Sequence, residues 1–173
     1  MKPDAAIGYS IEPLHEHHDR ASFSCGVEPL DRYLKQQAGQ DARKHVAAPF
    51  LLIHHESGAV AGFYTLASTT IAPGQLPPEL ARKLPRYPLI PATLLGRLAV
   101  DAQHRSRGLG EFLLLDALSR SAKTTSQVAS FAVVVDAKDE STRKFYLRYQ
   151  FIPFADQQNR LFLPMTTIAK LFA

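Results

Sequence analysis

The chain has 173 residues, of which 46% are hydrophobic and 21% are charged, the usual balance of a soluble globular protein. This length favours a single domain, residues 1–173, whose core is large enough to need no disulfide, and the lone cysteine, Cys25, excludes an internal one. No apolar run approaches the length of a membrane span and residues 1–8 hold no signal-peptide core, so we expect a cytoplasmic protein without a membrane segment.

The formal charge of +4 at pH 7 is a small excess, but it is distributed unevenly along the chain. Between residues 82 and 107 the only acid is Asp101, whereas the basic residues there are Arg82, Lys83, Arg86, Arg97, Arg105 and Arg107. A second basic group comprises Arg32, Lys35, Arg43 and Lys44. Such clusters attract the phosphates of a cofactor or of a nucleic acid. An ordinary solvated surface explains the second group equally well.

The first predicted element is a helix that opens at Pro29, a residue suited to a first helical turn. Its apolar face follows three- and four-residue spacing through Leu30, Tyr33, Leu34, Gln37 and Ala38. Two strands follow, over residues 50–53 and 60–66, and Glu56-Ser57-Gly58 between them is typical of a hairpin turn.

Prolines dominate residues 72–92 and predict a long segment without regular structure, apart from one short helix over 78–84. So long a connection inside a compact domain is usually functional. The pattern then predicts a strand over 94–100, a helix over 108–119, a strand over 130–136, a helix over 141–149, and a closing hairpin of strands over 151–154 and 160–163. Valines at the centre of the strand over 130–136 indicate burial on both faces. Because strands alternate with helices, the predicted class is mixed α/β.

The clearest chemical signal is a strand end followed by a glycine-containing loop and a helix: Leu98-Ala99-Val100-Asp101, then Arg105-Ser106-Arg107-Gly108-Leu109-Gly110. A phosphate site needs converging backbone N–H groups at a helix N-terminus and no side chain in the way, which Gly108 and Gly110 allow. Arg105 and Arg107 add positive charge to that of the helix dipole. The segment is therefore suited to a pyrophosphate. It is not a dinucleotide fingerprint, because Leu113 replaces the third glycine, and the chain holds no Gly-Lys-Ser/Thr run of a nucleotide P-loop.

The spacing Arg105-x-x-Gly108-x-Gly110 after this strand resembles the acetyl-CoA signature of the GNAT N-acetyltransferases, and Phe145-Tyr146 with Phe151 resembles that family's final helix and strand. The resemblance covers residues 48–165. It implies the GNAT fold, a mixed and mostly antiparallel central sheet flanked by helices, with a splayed cleft for acetyl-CoA. It also implies that the loop amides hold the CoA pyrophosphate and that the preceding strand holds the pantetheine arm and acetyl group.

Carried over residue by residue, the resemblance implies acetyl-CoA contacts from Leu98, Ala99, Val100, Arg105, Ser106, Arg107, Gly108, Leu109, Gly110, Asp139 and Phe145. Tyr146 is the expected general acid for the departing thiolate. A strand amide near Val100 is the expected donor to the thioester carbonyl. Without the resemblance, Tyr146 would be interpreted as a core aromatic of an amphipathic helix.

A closer resemblance is to the GNAT toxins of toxin–antitoxin pairs, through Phe23-x-Cys25-Gly26-x-x-x-Leu30-Asp31-x-Tyr33-Leu34, Leu95-Gly96-Arg97-Leu98-Ala99-Val100-Asp101 and Val135-Asp136-Ala137. It implies acetylation of the α-amino group of aminoacyl-tRNA, a block of translation, a ribbon-helix-helix antitoxin as partner, and a homodimer. The pKa of such an amine is about 8 or below, so a strong general base is less necessary. One departure is Arg105-Ser106-Arg107, where these toxins often have a Gln-Gly-Gln or Arg-Gly-like run.

The residues expected to contact the tRNA are Arg82, Lys83, Arg86 and Arg97. A structural ion pair is the alternative for Arg97. Two other functions stay open: an acetyltransferase for a small amine or a protein amine, and a GNAT domain that binds CoA without turnover.

The histidines are not expected to bind a metal. His15, His17 and His18 would lie on different faces of a helix, and no Cys or His pair elsewhere completes a site. His54 and His55 alternate along a strand and are expected to be structural.

Two further catalytic arrangements are disfavoured. Cys25 is expected to be a buried thiol and not an acyl-enzyme nucleophile, because no histidine lies at a recognisable partnering distance along the sequence. Asp136 and Asp139 could form a carboxylate pair, but we expect Asp136 to cap the strand end and Asp139 to begin the following helix.

Overall fold

The structure, a computed structural model, describes residues 7–173. The expectation about a signal peptide concerns residues 1–8, and the first six of these lie outside the described residues. Within residues 7–173, no helix is both long enough and apolar enough to cross a membrane.

Strands and helices alternate along the described chain. The strands are β1 (Tyr9–Pro13), β2 (Ala48–His54), β3 (Val60–Ile71), β4 (Ile90–Val100), β5 (Ala132–Asp136), β6 (Ile152–Pro153) and β7 (Arg160–Pro164). The α-helices are α1 (Glu28–Arg32), α2 (Ala38–Arg43), α3 (Pro78–Ala81), α4 (Leu109–Lys123), α5 (Glu140–Arg148) and α6 (Met165–Leu171). A π turn (Tyr33–Gln37) joins α1 to α2, and 3-10 turns are formed by Pro73–Gln75 and Ala102–His104.

The strands form one seven-stranded sheet in the order β1-β2-β3-β4-β5-β7-β6. The pairs β1/β2, β2/β3, β5/β7 and β6/β7 are antiparallel. The mixed α/β class and the mostly antiparallel sheet that we predicted are confirmed. The chain divides into two compact units, residues up to Ala67 with Leu95–Ala117, and Ser68–Leu94 with Leu118–Ala173. A single domain over residues 1–173 stays a prediction.

In the first unit, the helical run that begins at Glu28 packs its apolar face into the core. Pro29 lies in the first turn, as predicted, and Leu34 and Ala38 are fully buried. They share a cluster with Phe23 and Phe63. The sequence pattern did not predict the π turn, a one-residue insertion that often occurs near functional sites.

The β2–β3 hairpin is confirmed, although both strands are longer than predicted. β1 was missed, because its five residues offer too little alternation to distinguish a strand from a loop. It pairs with β2, and Tyr9 lies opposite His54 in the register. This pairing places the Tyr9 ring beside residues of the functional site described below.

In the second unit, β5 has the predicted apolar character, and Val133, Val134 and Val135 are fully buried. The closing hairpin is confirmed as β6–β7. Helix α6 follows directly, although the sequence analysis had predicted no element there.

The prediction that residues 72–92 lack regular structure was wrong at its end. β4 begins at Ile90, so Pro91 lies inside a strand. Proline is tolerated near the start of a strand because only its N–H is missing, and here the Pro91 carbonyl still accepts a hydrogen bond of 2.8 Å from the Phe131 N–H. The short helix expected over residues 78–84 is present as α3.

Gly62 on β3 is enclosed where β3 and β4 meet in the first unit. A Cβ atom there would lie 2.8 Å from the Ala99 carbonyl oxygen and 3.0 Å from Leu113 Cδ1. The first distance is too short for a real contact, so a side chain would push β4 away from β3.

We therefore expect Gly62→Ala to lower the free energy of unfolding by about 1–3 kcal/mol, the usual range for overpacking. Gly74→Ala is the matched control, because no atom lies within 4 Å of the Cβ it would add. Urea unfolding of both variants tests the prediction, and equal midpoints for the two would contradict it.

Candidate active site

The end of β4 carries the residues expected to hold the pantetheine arm. Ala99 is buried, whereas Leu98 and Val100 are half-buried, as alternation along a strand requires. The Asp101 N–H donates to the Ala61 carbonyl over 2.8 Å. The backbone on which the cofactor is expected to lie is thus fastened to β3.

A buried carboxylate organises the turn after β4. Asp101 accepts hydrogen bonds from the N–H groups of Gln103, at 2.8 Å, and Ser24, at 3.0 Å. The Ala102 N–H donates to the Ser24 carbonyl over 2.8 Å. The N-terminal block that resembles the toxins is therefore bonded to the segment that leads into the glycine loop.

Arg105 strengthens the same junction. One of its terminal nitrogens, Nη2, donates to the Cys25 carbonyl. Gly26 adopts φ +85°, and a Cβ there would lie 2.9 Å from Nη2 of Arg105. Glycine is thus required at position 26 both by its conformation and by the closeness of Arg105. Because Nη2 is engaged, only the remaining N–H groups of Arg105 can serve the expected contact with a phosphate.

The glycine loop ends at the N-terminus of α4, a helix of 15 residues. Gly108 has φ +72°, a conformation that L side chains rarely adopt, and its carbonyl accepts the Phe112 N–H over 3.1 Å. The first N–H groups of a helix have no acceptor within it. The missing Gly108 side chain, these amides and the two arginines form a donor set that fits a diphosphate.

Ser106 has φ +64°, so the loop contains a second left-handed residue. This conformation costs a non-glycine residue roughly 1–2 kcal/mol. This cost is a physical reason for a glycine at the corresponding place in the Arg-Gly-like run of the toxins. In this chain Ser106 adopts the left-handed conformation nonetheless.

Arg107 is exposed, but a hydrogen bond fixes the position of its guanidinium. Its Nη1 donates to the Tyr9 hydroxyl over 2.8 Å. The sequence analysis missed Tyr9 as a site residue because no spacing rule connects it with a loop almost a hundred residues later. Only the pairing of β1 with β2 brings it there.

Helix α5 begins as predicted. The Asp139 carboxylate accepts the Thr142 N–H over 2.8 Å and caps the helix. Its hydrogen bonds with Thr142 hold the pKa of Asp139 below its ordinary value. Phe145 is half-buried, and its ring centroid lies 5.2 Å from that of Tyr146. An acetyl-CoA contact from Asp139 remains a proposal and would have to use atoms that the cap leaves available.

Tyr146 is a buried tyrosine whose ring is fixed by aromatic neighbours. Its side chain is packed against Phe145 and Phe151, with ring centroids 5.2 Å apart in both pairs. Only 5% of the Tyr146 surface is exposed. Burial raises the pKa of Tyr146 above its ordinary value, so the phenol stays protonated at neutral pH.

The basic residues expected to contact tRNA fall into two groups. Arg82, Lys83 and Arg86 are exposed on the segment that follows α3 in the second unit. Arg97 belongs to the first unit, where its guanidinium carbon stacks 3.5 Å above the Tyr33 ring centre. The Tyr33 hydroxyl donates to Asp41 over 2.8 Å. Arg97 therefore has the structural partner that was its alternative role, although the partner is an aromatic face.

The N-terminal histidines do not lie on a helix, so the helical spacing from which we expected no metal there was wrong. His15, His17 and His18 lie in a turn and not on a helix, and their rings stack on one another. His18 Nε2 lies 2.5 Å from Glu12 Oε1, and Glu12, His17 and His18 offer donor atoms within 4.8 Å of one another. The acetyl transfer expected at the loop needs none of these groups.

Cys25 and Asp136 have the structural surroundings that the sequence predicted. Cys25 is buried, with 6% of its surface exposed. The Asp136 carboxylate lies 3.6 Å from the Arg160 guanidinium, so it stabilises the β5–β7 pair. Neither residue offers an arrangement for acyl transfer or for paired carboxylate chemistry.

Comparisons with known proteins place this geometry in a family. Residues 89–172 match the acetyltransferase (GNAT) domain. The "Probable toxin TacT" of Sinorhizobium fredii is 31% identical over 169 residues, which cover 93% of both chains. The "tRNA-acetylating toxin" of Mycobacterium tuberculosis is 35% identical over 146 residues, 83% of this chain and 85% of that protein.

Solved structures agree with these sequence relatives. A tyrosine-to-phenylalanine mutant of KacT superimposes with a TM-score of 0.90 at 29% identity, covering 95% of this chain and 99% of that one. AtaT complexed with acetyl-methionyl-tRNAfMet gives 0.88 at 29% identity, with the same coverage. AtaTR bound with AcCoA gives 0.84 at 29% identity and covers 96% of this chain and 99% of that one. With relatives above 30% identity along nearly the whole chain and a matching domain over its second half, the chain belongs to the GNAT acetyltransferase family.

Proposed function

We propose that this chain is an acetyl-CoA-dependent N-acetyltransferase that acetylates the α-amino group of aminoacyl-tRNA and so blocks translation, as the toxin of a toxin–antitoxin pair. The observation that carries the proposal is its similarity, along 93% of both chains, to a protein named "Probable toxin TacT". A second relative is named for tRNA acetylation, and AtaT has been solved with an acetylated methionyl-tRNA.

Acetyl-CoA supplies the acetyl group as a thioester. The proposed holder of its pyrophosphate is the loop from Arg105 to Gly110. Support comes from the left-handed Gly108, from the start of α4 directly after it, and from Arg107, which Tyr9 holds in place. The backbone of Leu98, Ala99 and Val100 would receive the pantetheine arm, and a strand amide near Val100 would donate to the thioester carbonyl.

Tyr146 is the proposed acid. Its ring is fixed by Phe145 and Phe151, so the proton donor is held in place. The amine needs little help, since an α-amine next to an ester is largely neutral at physiological pH. The chemistry therefore depends on a protonated phenol more than on a strong base.

Exposed basic residues support a nucleic-acid acceptor. Arg82, Lys83 and Arg86 project from one segment, and cations that contact phosphates release counterions on binding. Arg97 stays in the proposal as a cation whose position Tyr33 fixes.

The proposal has finer parts. They are a ribbon-helix-helix antitoxin as partner, a homodimer, and a cytoplasmic location, where charged tRNA is found. AtaT has been solved with the C-terminus of the antitoxin AtaR, which supports an antitoxin for this chain. The alternatives are an acetyltransferase for a small amine or protein amine and a CoA-binding domain without turnover. The experiments below separate them.

The first prediction concerns the pyrophosphate site. Gly108→Trp should abolish acetyl-CoA binding measured by calorimetry, because its side chain would fill the space next to the helix N-terminus. Gly58→Trp is the matched control: Gly58 also has a positive φ, +71°, but it lies in the β2–β3 turn with no atom near its added Cβ. Equal affinities for the two folded variants would reject the site.

The second prediction concerns the acid. Tyr146→Phe should keep acetyl-CoA affinity and lower kcat by about 10²-fold or more, as expected for the loss of a general acid. Tyr149→Phe removes a hydroxyl from the residue that directly follows α5 and should keep kcat near that of the wild type. A wild-type kcat in Tyr146→Phe under saturating substrates would remove Tyr146 from the mechanism.

The third prediction concerns the acceptor. Labelled acetyl-CoA should acetylate total charged tRNA and should not label tRNA whose amino acids were stripped by mild base. Equal label on stripped tRNA, or acetylation of polyamines without any label on charged tRNA, would leave only the general acetyltransferase. Expression without an antitoxin should arrest growth.

Salt dependence gives this prediction a residue-level test. The double variant Arg82→Gln/Arg86→Gln should make the slope of log Kd for tRNA against log salt shallower by about two, roughly one unit for each lost phosphate contact. Lys123→Gln/Lys170→Gln removes the same charge elsewhere on the surface and should leave the slope unchanged.

A further inference from the structure

Arg107, in the glycine loop, belongs to a hydrogen-bonded group of three side chains. Its Nη1 donates to the Tyr9 hydroxyl over 2.8 Å, and the same hydroxyl lies 2.7 Å from Nδ1 of His104. The three residues come from β1, from the 3-10 turn after β4 and from the loop before α4, and all belong to the first unit. They form a chain of two hydrogen bonds that ends on an arginine of the proposed cofactor site.

The chemistry of the groups fixes the direction of the first hydrogen bond. A guanidinium can only donate, so the Tyr9 oxygen accepts from Arg107. The Tyr9 hydrogen stays available for His104, and Nδ1 of His104 accepts it when the imidazole is neutral with its hydrogen on Nε2.

The surroundings of His104 keep it in that state. Burial lowers its pKa, and the nearby imidazole of His54 and the charge of Arg107 lower that pKa further, whereas the carboxylate of Asp101 opposes them. The Tyr9 ring contacts both imidazoles, with centroid distances of 5.0 Å to His54 and 5.7 Å to His104, and the two imidazoles lie 5.1 Å from each other. Only 8% of Tyr9 is exposed. The buried Tyr9 hydroxyl thus accepts a hydrogen bond from the exposed Arg107 guanidinium.

This contact matters because an exposed arginine side chain ordinarily samples many rotamers. Ordering it when a ligand binds costs up to about 2 kcal/mol of conformational entropy. A bond to one nitrogen removes part of that freedom beforehand and leaves the other N–H groups of the guanidinium available. The other arginine of the loop, Arg105, is held in the same way by the bond of its Nη2 to the Cys25 carbonyl, whereas Arg107 is held by a side-chain hydroxyl that a single substitution can remove.

We propose that Tyr9 and His104 are positioning residues that hold the Arg107 guanidinium ready for the diphosphate of acetyl-CoA. The inference rests on the proposed cofactor site and adds two residues to it. Tyr9 orients Arg107 directly, and His104 orients the Tyr9 hydroxyl by accepting its hydrogen. Neither residue is expected to touch the acetyl group or the amine.

The test compares two acetyl donors, acetyl-CoA and S-acetylpantetheine, which lacks the diphosphate. Tyr9→Phe should weaken acetyl-CoA binding roughly tenfold, leave kcat within about twofold, and leave kcat/KM for S-acetylpantetheine unchanged. His104→Leu should act in the same way. His104→Asn should retain wild-type affinity, because its carboxamide oxygen can accept the Tyr9 hydrogen. His55→Leu, which alters an exposed histidine, is the control.

A double-mutant cycle separates positioning from general stability. Arg107→Gln should weaken acetyl-CoA binding by itself, and Tyr9→Phe should then have no further effect in that background. The proposal is overturned if Tyr9→Phe leaves the affinity for acetyl-CoA unchanged, affects both donors equally, or adds its full effect to that of Arg107→Gln.

Failure of the proposed function has a different signature. If the wild-type protein does not bind acetyl-CoA, or if Arg107→Gln binds it as tightly as the wild type, the cofactor site itself is wrong and the positioning role falls with it. If the wild type binds and turns over while Tyr9→Phe retains its affinity, only the positioning role is lost. Thermal unfolding of each variant verifies that the folded state is being compared.

Discussion

The charge of Asp101 must be satisfied where it is buried, at the end of β4, and the way this happens shapes the rest of the first unit. Its carboxylate takes N–H groups from Gln103 and Ser24, and its own N–H bonds to Ala61 on β3. One residue thus fixes the strand expected to carry the acetyl group, the turn before the glycine loop, and the N-terminal segment. An unpaired buried carboxylate would cost several kcal/mol, about as much as the whole net stability of many domains. The hydrogen bonds of Asp101 therefore couple the stability of the loop to that of the N-terminal segment.

The arginines differ in their partners, and these partners determine what each side chain can do. Arg105 bonds the carbonyl of Cys25, Arg107 bonds a buried hydroxyl, and Arg97 lies over an aromatic face. Arg82 and Arg86 are exposed. Interactions of a guanidinium with partly buried neutral groups leave its positive charge uncancelled. The first three can therefore be structural and still attract an anion, whereas the exposed pair acts through long-range attraction that salt weakens.

Much of this could be predicted from sequence, where the signal is local. The hairpin turn at Glu56-Ser57-Gly58, the apolar strand β5 and the cap at Asp139 depend on neighbouring residues, and each was found. Tyr9 and His104 escaped because their contacts join residues 95 apart, through strand pairing that no spacing rule encodes. Pro91 was misassigned because proline was taken to break a strand anywhere, although near a strand start only a donor is lost. The residues of the site were proposed by resemblance, and their roles still depend on it.

The state of Tyr146 constrains how the proposed reaction can run. Its buried phenol has a pKa above the ordinary value near 10, whereas a thiol has a pKa of about 8.5, so complete transfer of the proton to a free thiolate would be uphill by about 2 kcal/mol or more. The phenol therefore cannot act by ionising first. The overall reaction does not require Tyr146 to stay ionised, because the amine loses one proton on becoming an amide and the sulfur gains one. Tyr146 can donate to the sulfur as the bond to carbon breaks and recover a proton that originates from the amine, with no net change in its own charge. A fixed, buried ring and a raised pKa suit such a relay better than they suit a residue that must hold a charge.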